Sequence, residues 1–262
     1  MFKKFILSSQ NFIKFFIRLL ISLGFKQNLI NSLRNFPKYC NDKKSWLKQG
    51  GKINKEFLML NDFYSESGIC SGDYFHQDLL VAKLINKNKP KRHIDVGSRI
   101  DGFVAHVACF REIEVIDIRI LSIKNHNNIK FLKFDIMKKT EFPKTDSLSC
   151  LHAIEHFGLG RYGDLINIRG HILALNNLIS MLEKDGTFYL SFPIGQKNEV
   201  HFNNQRIFNP NYFLNLKIVK ENLDFIRFDY INQKGDLYCQ KNILDFLNNE
   251  EYGCGIFTFK KI

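Results

Sequence analysis

From His93 onward, short apolar runs alternate with helical periodicities, and the first three runs each carry an acid at their end. These are HIDVG, IEVIDI and IKFLKFDI, with Asp95, Asp117 and Asp135. Alternation of this kind confines a chain to a mostly parallel sheet with helices on both faces. DSLSCLHAI reads as a fourth strand and TFYLSFP as a fifth. Between them lies the periodic helix ILALNNLISML, closed by Glu183, Lys184, Asp185 and Gly186. GFVAHVACF reads as a helix opened by Asp101 as its N-cap. Ahead of the first strand, Phe75, Leu79, Leu80 and Leu84 recur at helical spacing, and Pro90 ends that helix. Two later runs, KENLDFIRFDYI and CGIFTFKK, are placed to close the sheet as an antiparallel hairpin.

In such a sheet ligands bind beyond the carboxyl ends of the strands, where the strand order reverses. After the first strand, Gly97, Ser98, Arg99 and Gly102 form a turn that brings backbone close to a ligand and leads into a helix N-terminus. Asp117 follows Asp95 by twenty-two residues, a spacing suited to hydrogen bonds with ribose hydroxyls. A carboxylate at Asp135 suits an adenine amino group. Any one acid is commonplace as a strand cap; three on successive strands, with glycine after the first, mark a nucleotide-type cleft.

The series DVG, VID, KFD, CLHAIEH and LEKDGTFYLSFP resembles class I S-adenosylmethionine-dependent methyltransferases. More narrowly, YFHQDLLVAK, HIDVGSRIDGFVAH, EVIDIR and DSLSCLHAIEHFGLGRYGD resemble one family of unknown function, first catalogued in nematodes, over about residues 70–210. The resemblance implies a Rossmann-like, doubly wound, mostly parallel seven-stranded sheet. It also implies S-adenosylmethionine as cofactor, held by Asp95, Gly97, Ser98, Arg99, Gly102, Asp117, Ile118, Asp135, Ile136 and His152. The chain departs from the methyltransferase pattern at Arg99 and Asp101, where the family's loop carries glycines. The departure admits three outcomes: a bulkier loop narrows the methionine end of the site, Arg99 pairs with the cofactor's carboxylate, or the site is degenerate and binds no S-adenosylmethionine.

The loop after the fourth strand concentrates His152, Glu155, His156, Arg161, Tyr162 and Asp164. His156, Glu155 and Asp164 are the catalytic candidates, His156 as general base because an imidazole titrates near neutrality. His-x-x-Glu-His is similar to the Glu-x-x-Glu-His of metal-dependent O-methyltransferases, so His152, Glu155 and His156 are candidate ligands of a divalent metal, with His201 and Gln205 as completing groups. The structural alternatives are a packed His152 and a loop braced by Glu155 and His156. His76, Gln77 and Asp78 stand where this fold closes over its cofactor, though Asp78 also suits a helix start. Arg161, Tyr162 and Arg206 suit an anionic substrate or a solvated surface equally.

The 262-residue chain has a net charge of +12, and the excess sits at one end. Residues 1–55 hold twelve Lys or Arg and one acid, Asp42, while the remainder is nearly balanced. A neutral catalytic portion disfavours nucleic acid as substrate. The expected division is a basic amphipathic helical extension, residues 1–52, and an α/β domain, residues 53–262, with its core at 93–193. In the extension, Phe12, Phe15, Phe16, Leu19, Leu20 and Leu23 line one face of a helix too short and too basic to span a bilayer. Peripheral contact with an anionic membrane through residues 1–35 competes with packing against protein. Six cysteines without a C-x-x-C pair fit reduced thiols in the cytoplasm. The leading functional expectation is O-methylation of a small sugar or polyol, such as a surface-polysaccharide precursor. The alternatives are a methyltransferase-shaped scaffold of a glycan assembly system and an RNA methyltransferase gripping phosphates with its basic extension.

Overall fold

The computed structural model describes residues 29–63, 65–122, 126–138 and 142–262, with side chains from Arg34 onward. The expected amphipathic helix around Phe12–Phe25 lies outside these residues. Two compact units emerge, one ending at Ile69 and the other comprising Cys70–Ile262. In the first, helix α1 (Leu29–Lys48) is followed by an extended segment tied back to it. Tyr39 and Lys43 both bond Glu56, at 2.6 Å each, and the Asn35 amide donates to the carbonyl of Leu60.

The second unit opens with α2 (Asp73–Asn88), whose last turn closes through Lys89 in a left-handed conformation. The parallel strands β1 (Ile94–Val96), β2 (Ile113–Asp117), β3 (Ile129–Lys133), β4 (Thr145–Leu151) and β5 (Leu182–Gly195) follow. The helix after β1 begins as a π-helical turn, Ile100–Val104, and continues as α3 (Ala105–Ala108). Asp101 does not cap it: its carboxylate is drawn to Arg99, and Arg99 stands at the N-cap position without a side-chain cap bond. Helix α4 (Gly170–Met181) connects β4 to β5. The remaining elements are the ribbon β6 (Glu199–His201) and β7 (Gln205–Ile207), helices α5 (Pro210–Leu214) and α6 (Lys217–Asn222), β8 (Leu223–Asn232), β9 (Leu237–Tyr238), α7 (Ile243–Asn249) and β10 (Tyr252–Lys261).

The main sheet runs β3-β2-β1-β4-β5-β10-β8-β9, with β10 antiparallel to both β5 and β8. It is doubly wound and mostly parallel, but it has eight strands rather than seven. The extra edge strand, β9, pairs Tyr238 with Tyr230 of β8, and the two rings stack 4.8 Å apart. The turn before it is braced by the Asn232 side chain, which accepts from the backbone of Lys234 and Asp236. β8 and β10 are sheet neighbours as expected, yet β9 and α7 separate them in sequence.

Period-two alternation assigns strand residues to opposite faces. On β5, Phe188, Leu190, Phe192 and Ile194 enter one core with Leu175 and Leu178 of α4, while Tyr189 enters the other. That second core gathers Val81 and Ile85 of α2, Phe103, Val104 and Val107, and Ile113 and Val115 of β2. Helices thus cover both faces, and the carboxyl ends of β1 to β4 are left to form a cleft where the order turns from β1 to β4.

Candidate active site

Beneath the cleft lies a buried polar chain that shapes the turn after β1. The Asp95 carboxylate is fully buried and accepts from the Ser98 hydroxyl at 2.6 Å, the Ser98 backbone N–H at 3.1 Å and the Ser149 hydroxyl at 2.5 Å. Burial lifts its pKa to about 7 against the pull of these donors. His93 continues the chain, bonded to Ser147 and Ser149, and burial pushes its pKa down to about 3. Gly97 takes φ +77°, and a Cβ there would stand 2.8 Å from that of Ala153. Glycine therefore admits β4's following loop to the first strand.

The cleft encloses about 530 Å³, open solvent at its mouth included. Of the residues anticipated as cofactor contacts, Gly97, Asp117, Ile118, Asp135, Ile136 and His152 line it. Asp95, Ser98, Arg99 and Gly102 do not. Asp95 and Ser98 support the turn from below, and Gly102 leaves room for the carboxylate of Asp78. The Arg99 guanidinium pairs with Asp101 and lies 4.8 Å from the centre of the Tyr74 ring.

Phe134, Ile136, Met137, Ala153 and Phe157 give the cleft apolar walls, with Asp117 and Asp135 among them. Such a slot fits an adenosine: flat apolar surfaces for the base, carboxylates for its polar edge and for ribose hydroxyls. One group stands in the way. Arg119 donates to both oxygens of Asp117, through Nε at 2.9 and 3.2 Å and Nη2 at 2.5 Å, and its guanidinium stacks 4.6 Å over the Tyr162 ring. This residue escaped the sequence reading. Its only signal there was its place two residues beyond Asp117.

His152 follows β4 directly, at φ +49°, and a 3₁₀ turn, Ile154–His156, comes after it. Glu155 is fully buried between two imidazoles: its Oε1 lies 3.1 Å from His152 Nδ1 and 3.5 Å from His156 Nε2, and its Oε2 has no hydrogen-bond partner. His152 Nε2 in turn lies 3.1 Å from the Cys254 thiol on β10. Burial opposes a charge on His152, but Cys254 and Glu155 together outweigh it and hold its pKa well above the ordinary value. With both nitrogens engaged, His152 presents its ring rather than a free lone pair to the cleft.

His156 is different. Its Nδ1 lies 2.7 Å from the Asn204 carbonyl, an acceptor, so Nδ1 carries the proton and Nε2 keeps the lone pair. Burial, aided by Arg161 close to both ring nitrogens, pushes its pKa below the ordinary value despite Glu155. A buried, neutral imidazole of fixed tautomer is suited to accept a proton.

Asp164 lines the cleft, but its carboxylate accepts from the backbone N–H groups of Gly158, Gly160 and Tyr162, so it holds the loop in shape. The expected metal centre requires correction. Among the described residues no three His, Cys, Asp or Glu side chains are arranged to hold a metal ion. Glu155 Oε1 lies between His152 and His156, whose other ring nitrogens face Cys254 and Asn204. His201 bonds Glu199, and the Gln205 amide donates to the Tyr252 hydroxyl. Arg206 is buried, and its Nη1 donates to the carbonyls of Glu155 and Phe157, which supports the loop from behind.

Residues 109–234 match the family described as Caenorhabditis protein of unknown function, DUF268. No curated protein matches the chain. Among solved structures, coclaurine N-methyltransferase bound to N-methylheliamine and S-adenosylhomocysteine is similar at TM-score 0.50 and 11% identity, covering 97% of this chain and 94% of that one. The Burkholderia thailandensis 1,6-didemethyltoxoflavin-N1-methyltransferase aligns at TM-score 0.50 and 10% identity over 84% of this chain and 86% of its own. An O-methyltransferase from a trans-AT polyketide synthase of Brevibacillus brevis aligns at 0.50 and 15% over 71% of each chain. The chain therefore has a class I methyltransferase fold, and the family match covers residues 109–234 of it.

Proposed function

We propose that this protein is an S-adenosylmethionine-dependent methyltransferase that methylates an oxygen of a small sugar- or polyol-like acceptor. The observation that carries the reading is the placement of His156, an imidazole whose Nδ1 is tied to Asn204 so that Nε2 carries the lone pair, on the wall of a cleft that also presents Asp117 and Asp135. Asp117 would hold the ribose of the cofactor, Asp135 with Ile136 its adenine, and Gly97 would let the backbone approach it. When bound, the cofactor supplies an electrophilic methyl group on a sulfonium.

His156 has the acceptor's part of the work. A hydroxyl becomes a competent nucleophile when its proton leaves as the new bond forms, and Nε2 is the lone pair available for it. The imidazolium that results is held by Nδ1–H donation to Asn204 and by the Glu155 carboxylate 3.5 Å from Nε2. Glu155 is thus a positioning and charge-compensating group, itself anchored by His152. Arg161 and Tyr162 stand at the mouth, where an acidic substituent on the acceptor would meet a guanidinium. A glycan precursor at the inner face of a membrane is the preferred acceptor class.

The competing reading is a scaffold that binds no cofactor, favoured by the Arg119 guanidinium on Asp117. Calorimetric titration with S-adenosylhomocysteine separates the two. Micromolar binding supports the enzyme, and its absence at millimolar ligand removes it.

A further inference from the structure

The mouth of the cleft is rimmed by apolar side chains in water. On the loop after His156, Leu165 is 74% exposed, Ile166 65% and Ile168 85%, with Tyr162 beside them. On the β6–β7 ribbon, Phe202 is 74% exposed and Val200 stands open nearby. These segments belong to one rim, because Arg161 Nη1 donates to both the carbonyl and the side-chain oxygen of Asn204 across it, at 3.1 and 3.0 Å. The loop is not loose: Asp164 gathers three backbone N–H groups, and Asn167 N–H donates to the Gly158 carbonyl. A well-braced loop that nevertheless holds Leu, Ile and Ile in solvent forgoes the free energy of burying them.

Two guanidiniums, those of Arg161 and Arg169, stand among these side chains. Neither Arg161 nor Arg169 has a carboxylate within ion-pair distance among the described residues. The Asp164 carboxylate is turned inward to backbone donors, and Glu199 is hydrogen-bonded to His201 at 2.8 Å. Single apolar side chains on loop tips, interleaved with guanidiniums that lack a carboxylate partner and with a tyrosine, match the interfacial layer of an anionic bilayer, where alkyl groups enter the acyl boundary and guanidiniums meet phosphates.

We propose that this rim is a docking surface for an anionic lipid bilayer, holding the cleft at the headgroup layer. Resting on the methyltransferase reading, it makes the acceptor a lipid-borne molecule whose polar part enters the cleft while its tail stays in the membrane.

The chain contains a single tryptophan, Trp46, so the double variant Trp46→Phe, Ile168→Trp places the sole indole on the rim. Its emission is expected to shift to the blue with phosphatidylglycerol vesicles, far less with phosphatidylcholine, and to revert at high salt. No shift, even where the protein pellets with vesicles through other residues, overturns the proposal. So does an indole already blue-shifted without vesicles in a concentration-dependent way, which would assign the rim to a second copy. A triple variant, Leu165→Ser, Ile168→Ser, Phe202→Ser, should lose at least about tenfold in partition to phosphatidylglycerol, and unchanged partition is equally fatal. S-Adenosylhomocysteine titration of the same preparations keeps the two readings apart. Retained ligand binding without docking removes only the docking, while docking without ligand binding removes the enzyme.

Discussion

Replacing Arg119 by alanine should tighten, not weaken, the binding of S-adenosylhomocysteine. In the free protein the Arg119 guanidinium occupies both oxygens of Asp117, the group assigned to the ribose hydroxyls. Arg119 is about half exposed, so its ion pair is screened and contributes about 1 kcal/mol. Its stacking on Tyr162 adds about 0.5–1 kcal/mol. A ligand that must displace the guanidinium forgoes the sum, about 1.5–2 kcal/mol, or about 10- to 30-fold in Kd. The backbone N–H of Arg119, 2.7 Å from Asp117 Oδ1, remains in the variant and keeps the carboxylate oriented. Isothermal titration of wild type, Arg119→Ala and Asp117→Ala gives the answer. The expected order is Arg119→Ala tightest and Asp117→Ala weakest. Affinity that falls in Arg119→Ala, or stays within twofold, would refute the displacement argument, the first outcome by making Arg119 a ligand contact.

Four other outcomes follow from the same geometry. His156→Gln should abolish turnover while leaving S-adenosylhomocysteine affinity within about threefold, a change under 1 kcal/mol; surviving activity would move the base elsewhere. Since the base must be neutral and the His156 pKa lies below its ordinary 6.5, kcat/KM should fall only as pH drops beneath that value, and an acidic limb above it would contradict the assignment. Asp95, raised from 3.8 to about 7, binds its proton more tightly in the folded state, so its contribution to stability declines as pH rises from about 4 to 7. Asp95→Asn should therefore narrow the drop in Tm between pH 5 and pH 8 relative to wild type, and an equal or larger drop would count against a buried, protonated Asp95. Gly97→Ala should cost at least about 1–2 kcal/mol in urea unfolding, from the left-handed backbone alone, with the contact at Ala153 adding to it; a neutral result would mean the turn relaxes freely.

Seven strands of the main sheet, their order of appearance and the acids at the ends of the first three were legible in the sequence because each is a local pattern. Alternation, a glycine after a strand and a helix at period 3.6 depend on neighbours a few residues apart. Asp117 and Asp135 reached the cleft for the same reason, since the end of a parallel strand beside the switch point has one place to go. The roles of individual side chains were not local. Asp164 looked catalytic until the folded loop gave it three backbone donors, and His152, Glu155 and His156 looked like metal ligands until Cys254, a hundred residues away, engaged His152 Nε2 and Asn204 engaged His156 Nδ1. The eighth strand rests on a stack between Tyr230 and Tyr238 across a turn, and a two-residue strand has too little period to announce itself. Sequence by itself determined which fold this chain adopts and where its cleft opens, because hydrophobic periodicity and strand-end chemistry are short-range. Only the tertiary structure decided which proton His156 carries, what covers Asp117 and what remains exposed at the rim, because each depends on a partner that folding, not sequence proximity, brings within hydrogen-bonding distance.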